Sequence, residues 1–410
     1  MNRAATSAVP FPAGSAASRR HDPYWEAAWP AAVGGSTVSW GGQGWDRRVT
    51  AAAAGHAAVR RVLELEDVKV GHCLSPRRRQ QTLAVLATLN AWHTVTDEQL
   101  AASVGIRSLT GRRRGLIAAL VDAGLVQLGR LYQLNGRPAP VTMLRLDPGG
   151  LLERLEEQLS WSEWVAVTGA RPWVRSLPSD RHDILAAEVS LRAAEVAPLA
   201  ATLGEGFARL ADLFGESRRV GKRRADAIWV RGDGLAVVVE MISSAPRSLA
   251  RKLALWSDLL ASAEGRGVAA LFVSAISPTD RNRRSAERAT RQMIDEAAHG
   301  SPEAISAQVP GRMAHATWEE LFPAPGRMVR DFPALPARAP TGPPGDGRWQ
   351  RVELLDPFAF PVPPGWPPAP RELAALAGIP HWQQQPGATD LDGEACRLAG
   401  LGEVYRRRVG

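Results

Sequence analysis

Apolar positions along the chain gather into two periodic blocks, residues 77–147 and 180–322, with aperiodic stretches before, between and after them. In the first block Leu83, Leu86 and Leu89 fall on one helical face. The next segment, TDEQLAASVG, opens on Thr96 with Gln99 three residues later, a capping box, and closes at Gly105. A third helix is predicted from near Ser108, with Ile117, Leu120, Val121 and Leu125 facing inward and Gly124 as its stop. VQLGRLYQL and VTMLRL then read as two strands around NGRPAP, where Asn135-Gly136 supplies turn chemistry. Three short helices and a two-stranded hairpin predict a winged helix-turn-helix over 77–147.

The second block has a different rhythm. DRHDILAAEVSLRAAEVA reads as a helix, and RRADAIWV and GLAVVVEMIS as apolar strands. RSLARKLALWSDLLASA is an amphipathic helix with Leu249, Leu253, Trp256 and Leu260 at helical spacing. VAALFVSAIS is a further buried strand, SAERATRQMIDEAA a helix, and MAHATWEELF a short strand or loop running into a terminal turn. This succession of helices and strands predicts a mixed sheet flanked by helices over 180–322. The fold class expected is therefore a two-domain α+β or α/β chain.

The flanks lack such patterning. Residues 1–55 are rich in Ala, Gly, Ser and Pro and are expected to be largely disordered, with the aromatics of PYWEAAWP docking locally. Residues 148–179 form a connecting helix and a linker carrying Trp161, Trp164 and Trp173, whose plainest role is packing. Residues 323–370 are dense in proline and read as a semi-extended linker or surface wrap. Residues 371–410 hold one short helix, RELAALAG, and a basic end.

Charge adds a partner to this picture. Lys and Arg number 50 against 42 Asp and Glu, a formal charge of +8, which favours an anionic partner. Between Arg107 and Arg145 seven arginines stand against one acid, Asp122. A charge run is ordinarily a solvated face. Here Arg112, Arg113 and Arg114 fall on the expected first turns of the third helix and Arg107 in the turn before it. Arg137 sits at the wing tip, and Arg130 and Arg145 on the wing strands. Those are the places where a winged helix meets the major groove and neighbouring phosphates of double-stranded DNA. Two cysteines, Cys73 and Cys396, exclude a disulfide framework and a Cys-based zinc site, so a reducing cytoplasm is expected. No apolar run reaches the length of a membrane span, so no membrane partner is expected.

The second block carries the candidate chemistry. Asp226 opens one strand and Glu240 closes the next, around the turn RGDG. Paired as a hairpin, these strands bring both carboxylates to one edge of the sheet, where they repel. A divalent cation bridging them relieves the repulsion, and Mg²⁺ so held polarises a phosphodiester. In the plainer reading Asp226 caps or terminates a strand and Glu240 pairs with one of Arg218, Arg219, Arg223 or Arg224.

An Asp at the start of one strand and a Glu at the end of the next, followed by a helix, is similar to the PD-(D/E)xK restriction-endonuclease-like core. In that family a Lys stands two residues after the Glu, and Pro often precedes the Asp. Here Ile242 and Ala225 stand at those positions. The resemblance implies Asp226 and Glu240 as metal ligands and catalytic acids, with the cation moved to Lys252 on the next helix and a third acid, Glu188, on the first. Lys252 lies three residues after Leu249 and four before Trp256, and Glu188 four after Ile184 and three before Leu191. Surface exposure is the commoner fate of such Lys and Glu residues.

The two halves together resemble the bacterial, mainly actinobacterial, replication-relaxation family over roughly residues 77–322. The features that match are the Arg-rich third helix, LDPGG, RHDILAAEV, RRADAIWV, AVVVEMIS and RKLALW. The resemblance implies DNA work linked to replication or transfer of a plasmid or other mobile element, in the cytoplasm with the nucleoid or plasmid. It also leaves room for a homodimer or a replication or transfer protein as partner. Three functions are then in view: a DNA-binding protein whose nuclease-like domain is degenerate, a Mg²⁺-dependent endonuclease, and a protein–protein adaptor. The isoleucine after Glu240 favours the first over the second, and the arginine distribution disfavours the third.

Overall fold

A computed structural model describes residues 7–27, 40–41, 57, 67–106, 115–132, 135, 137–148, 151–174, 179–214, 223–243, 249–343 and 345–384. They form two compact units, one within 27–184 joined by 374–384, the other within 1–26 and 185–373. The architecture is mixed α and β, with a large mixed sheet flanked by helices. Among the described residues no helix is long and apolar enough to cross a membrane.

The first strand of the chain, β1 (Ala8–Pro10), belongs to the second unit. The first unit contains β2 (Trp40–Gly41), α1 (Arg79–Trp92), β3 (Thr94–Thr96), α2 (Asp97–Val104), α3 (Leu116–Asp122), β4 (Val126–Tyr132), β5 (Pro138–Leu146), α4 (Leu151–Glu156) and α5 (Trp161–Thr168). Thr96 caps α2 by accepting from Gln99 N–H while the Gln99 side chain answers the Thr96 backbone. Such a cap is worth about 1 kcal/mol. Gly105 ends α2 in the left-handed region at φ 76°. The strands form an antiparallel sheet in the order β2-β4-β5-β3. Leu86, Leu89, Leu100, Leu120 and Leu144 are fully buried.

The third helix differs from the expectation. It begins at Leu116, after an extended Gly115 at φ −71° and ψ 175°, and not near Ser108. Arg112, Arg113 and Arg114 therefore precede it in sequence, and with Arg107 they lie outside the described residues. Beyond the hairpin, a second capping box starts α5, with Ser160 and Glu163 as its pair. Arg79 ties α1 to this helix through Glu163 at 2.5 Å. Residues 374–384 return to the same unit, where Ala377 N–H donates to Ala166 C=O at 2.8 Å.

The helix α6 (Asp180–Val196) runs from one unit into the other. The second unit continues with β6 (Leu199–Gly204), α7 (Leu210–Phe214), β7 (Ala227–Arg231), β8 (Ala236–Ile242), α8 (Leu249–Leu260), β9 (Val268–Ser274), α9 (Arg283–Ala298), α10 (Pro302–Ser306), β10 (Met313–Thr317), α11 (Trp318–Leu321), β11 (Arg327–Val329), β12 (Pro336–Pro340) and β13 (Trp349–Glu353). Seven strands make one sheet in the order β13-β12-β10-β9-β8-β7-β6. Neighbours β8-β9 and β9-β10 are parallel and the other pairs antiparallel. Every residue of β8 and β9 is buried, which explains their unbroken apolar runs. The two parallel steps cross over through α8 and α9. Right-handed crossovers put both helices on one face, and they pack against each other. The other face takes α6, where Trp229 of β7 donates its indole N–H to Ser190 Oγ at 2.9 Å.

Two flanking segments are built into this unit. The expectation of disorder over residues 1–55 fails for 7–27: β1 pairs with β11, and Phe11, Ala17, Arg20, Asp22 and Tyr24 are buried. Trp25 donates its indole N–H to Phe322 C=O at 2.8 Å. The expected linker at 323–370 supplies β11, β12 and β13, so the sheet extends past the boundary drawn at Phe322. Further on, Trp366 donates to Gly234 C=O at 3.1 Å in the β7–β8 turn. Position 234 of that turn tolerates no side chain: a Cβ on Gly234 would run into the Pro367 carbonyl oxygen. The helix expected in RELAALAG is a 3-10 turn over Arg371–Ala375, and the basic end lies outside the described residues.

Candidate functional site

The acid pair is set by strand register. Ala227 on β7 faces Val239 on β8, so Asp226, one residue earlier, stands opposite Glu240. The Asp226 carboxylate accepts the Met241 backbone N–H on Oδ2 at 2.7 Å, which fixes it across the hairpin. On the helix above, Lys252 and Trp256 are four residues apart and present one face. Trp256 donates its indole N–H to Glu240 Oε1 at 2.7 Å. The Lys252 ammonium contacts Glu240 Oε2 and lies 3.5 Å from Asp226 Oδ1. The structure thus brings Asp226, Glu240 and Lys252 together. The plainer expectation, an arginine on Glu240, is replaced by this lysine, while Arg218 and Arg219 lie outside the described residues.

Electrostatics follow from burial and proximity. The Glu240 side chain is 1% exposed and Asp226 9%, while Lys252 is 41% exposed because its stem reaches in from the helix surface. Burial raises the Glu240 pKa well above its ordinary value, the Asp226 charge raises it further, and Lys252 opposes both. Burial by itself lowers the Lys252 pKa, but the charges of Asp226 and Glu240 outweigh it and hold the ammonium above its ordinary value.

A residue not foreseen from sequence joins this group. Gly204 ends β6 opposite Ala227, so Glu205 follows at the same sheet end as Asp226 and Glu240. It pairs with Arg224 at 2.6 Å, and its charge also favours the Lys252 ammonium. The signal in the sequence was an acid directly after an apolar strand, in LGEGF.

Glu188 is a correction. Trp229 is three residues from Asp226, so their side chains lie on opposite faces of the sheet, and Trp229 meets α6. From that helix Glu188 turns to Arg20 at 3.1 Å and Arg192 at 2.8 Å, with its side chain fully buried. Arg192 also binds Asp22 at 2.8 Å, and Arg20 contacts Glu195. The N-terminal segment has taken the carboxylate that was assigned to the catalytic group.

The donor set decides what the acid pair holds. Asp226 Oδ2 has a backbone donor, Glu240 Oε1 an indole donor, and the other two oxygens face one ammonium. Lys252 stands where a bridging cation would, so these residues do not fit a Mg²⁺ ion in this arrangement.

The basic hairpin of the first unit is partly described. Arg130 is exposed on β4, and Arg137 is exposed at the turn, where its N–H donates to Asn135 Oδ1 at 2.9 Å. No described carboxylate pairs with either. Arg145 points elsewhere: it donates to Gln127 at 3.0 Å, lies 3.9 Å from Asp180 and stacks 4.0 Å over the Trp40 ring. It fastens the sheet and leaves the outward face.

One further buried group lies in the same sheet as the acid pair. His315 of β10 is hydrogen-bonded through Nε2 to Ser274 Oγ at 2.8 Å and accepts from Arg291 Nε on Nδ1 at 3.2 Å. An acceptor Nδ1 leaves Nε2 as the protonated nitrogen, so the ring donates to Ser274 and does not activate it. Burial and the Arg291 charge lower its pKa from 6.5 to about 3. A histidine whose folded pKa is depressed contributes stability above 6.5 that is lost as pH falls towards 3. His315→Gln is expected to flatten that part of the acid decline, read as unfolding midpoints in urea at pH 7 and pH 4. An unchanged acid profile would contradict the assignment.

No protein-family model matches the chain, and no curated protein or solved structure matches it.

Proposed function

We propose that this chain is a double-stranded-DNA-binding protein in which a winged helix-turn-helix grips the duplex and a restriction-endonuclease-like sheet no longer cleaves. The observation that carries the binding half is the outward pair Arg130 and Arg137 on the β4–β5 hairpin, beside two capped or glycine-bounded helices, with no described acid to neutralise them. The order α1-β3-α2-α3-β4-β5, with β3 added to the hairpin, supports the winged form. The Arg107 and Arg112–Arg114 cluster supplies the remaining charge in this reading. The non-cleaving half rests on Lys252, which closes the acid pair, and on Ile242, which is buried where the family has its lysine. By its resemblance to replication-relaxation proteins, the DNA work belongs to replication or transfer of a mobile element.

A second reading has one observation in its favour: Lys252 reaches the pair from the following helix, as a relocated catalytic lysine does. In it Asp226, Glu240 and Lys252 form a Mg²⁺-dependent endonuclease site once the exposed lysine stem swings aside.

Plasmid and gel-shift assays separate these. The protein is expected to retard a labelled duplex at 50 mM salt and to lose roughly a thousandfold in affinity by 200 mM, as about six phosphate contacts require. Supercoiled plasmid with Mg²⁺ is expected to stay uncut. Nicking that disappears in Asp226→Ala would establish the endonuclease instead. Absence of any shift at low salt would leave the adaptor reading.

A further inference from the structure

The second unit carries a basic face of its own, on α9. At about 100° per residue, Arg284, Ser285, Arg288, Ala289, Gln292 and Glu296 fall on one arc, and all are exposed. Arg281, just before the helix, is exposed as well. The opposite arc is buried at Thr290, Ile294 and Ala298. Arginines at the margins of the buried arc are neutralised: Arg283 by Glu287 at 3.7 Å and by Glu319, and Arg291 by Glu320 at 3.2 Å. No described carboxylate pairs with Arg281, Arg284 or Arg288. Two acids share that arc, both in the last turn: Asp295, which is buried and 3.0 Å from His299 Nδ1, and the exposed Glu296, which accepts from Gln292 at 2.8 Å. The helix therefore sorts its arginines: the inward ones are matched to acids, and the outward ones near its N-terminus are not.

The exposed chemistry there is guanidinium, hydroxyl and amide, and its apolar part is no larger than the Ala289 methyl. Those polar groups are the donors that contact phosphate and sugar oxygens, while an interface with a folded protein is built around large apolar anchors. The positive end of the helix dipole adds to the same field. We propose that the outward face of α9 around Arg281, Arg284 and Arg288 is a second contact surface for the sugar-phosphate backbone of nucleic acid. This rests on the DNA-binding reading above and assigns the sheet unit a binding part in it. The contact is to backbone charge, so it adds affinity and salt dependence without sequence preference.

The test uses the full chain and a fluorescein-labelled 30-base-pair duplex of arbitrary sequence, titrated by anisotropy at salt concentrations from 50 to 200 mM. The triple variant Arg281→Gln/Arg284→Gln/Arg288→Gln is expected to bind about tenfold to a hundredfold more weakly at 100 mM salt, with a log–log salt slope shallower by about 2 to 3. Arg348→Gln is the control. It is another exposed arginine of the same unit, held by Asp346 at 2.9 Å, and is expected to change neither quantity. The charge reversal Arg284→Glu/Arg288→Glu is expected to exceed the triple variant in effect, with an unchanged circular dichroism spectrum and melting curve for both. A wild-type chain that binds while the triple variant matches it in affinity and slope overturns this inference alone. A wild-type chain that binds no duplex overturns the DNA-binding reading and this one with it. If the triple variant keeps duplex binding but loses binding to polyglutamate, the face serves an acidic protein and the proposal fails.

Discussion

Lys252→Met is expected to destabilise the protein by about 2–4 kcal/mol at neutral pH. Removing one partner of a buried charge group costs more than the group contributes as a whole, commonly about 3–5 kcal/mol, because the opposite charge is stranded. The lower figure here reflects the exposure of the Lys252 side chain, 41%, which lets solvent screen part of the interaction. The variant leaves Asp226 and Glu240 facing each other without the ammonium, while the Trp256 indole and the Met241 backbone N–H stay in place as donors. Two further readouts distinguish this from a general packing defect. Glu240 has a raised folded pKa, so its protonation favours the folded state: that contribution is full below the ordinary 4.5 and is lost as pH rises through the folded value. The cost of Lys252→Met is therefore expected to shrink as pH falls from 8 to 5. Millimolar Mn²⁺ or Mg²⁺ is expected to raise the melting temperature of the variant and leave that of the wild type unchanged, since the cation takes the place the ammonium vacates. A wild-type chain stabilised by Mg²⁺ as much as the variant would contradict the closed cluster and favour the endonuclease.

That cluster was legible in the sequence because its determinants are local. Asp226 and Glu240 flank two apolar runs joined by a four-residue turn, so pairing them needs only the period of a strand. Lys252 is what the family resemblance implies, and helical spacing against Leu249 and Trp256, both buried, allows that placement without demanding it. What the pair holds was not legible, since a bridging cation and a lysine satisfy the same two acids equally well on paper. Glu205 was missed because its own strand, LAATLG, is short and weakly patterned, and its placement needs the β6–β7 register. The prolines of 323–370 argued against a sheet. Yet β12 meets β10 at the single pair His315 and Arg338, so Pro336 and Pro340 at its ends break no ladder there. The third helix started late because Gly115, between three arginines and an apolar run, takes an extended conformation that propensity alone does not reveal.

Glu188 is the most instructive miss, and Arg192→Met is the prediction that tests its explanation. Spacing put Glu188 on a face with Ile184 and Leu191; Arg192, four residues on, was a legible partner, but nothing near it in sequence announced the others. The partners come from residues 15–22, a stretch that composition marks as unable to build a core. Composition measures how much apolar surface a segment offers, not whether an existing helix offers it charges to match. Along α6, Glu188, Arg192 and Glu195 recur at helical spacing, and Arg20 and Asp22 dock on them in a buried group of two cations and three acids. Arg192 also lies 4.4 Å from the Phe322 ring centre, which joins the group to the aromatic cluster of Trp318, Phe322 and Tyr24. With its guanidinium replaced by a thioether, the three buried acids keep Arg20 as the one remaining cation of this group. The expected cost is about 3–5 kcal/mol, enough to expose the N-terminal segment to proteolysis near residues 12–20. Arg192→Met/Glu188→Met removes one stranded charge with its partner and is expected to recover part of that loss, which a simple packing defect at position 192 would not. A single variant as stable as the wild type in urea, or a double variant no better than the single, would show that the N-terminal segment is held by its aromatic residues and not by this charge group.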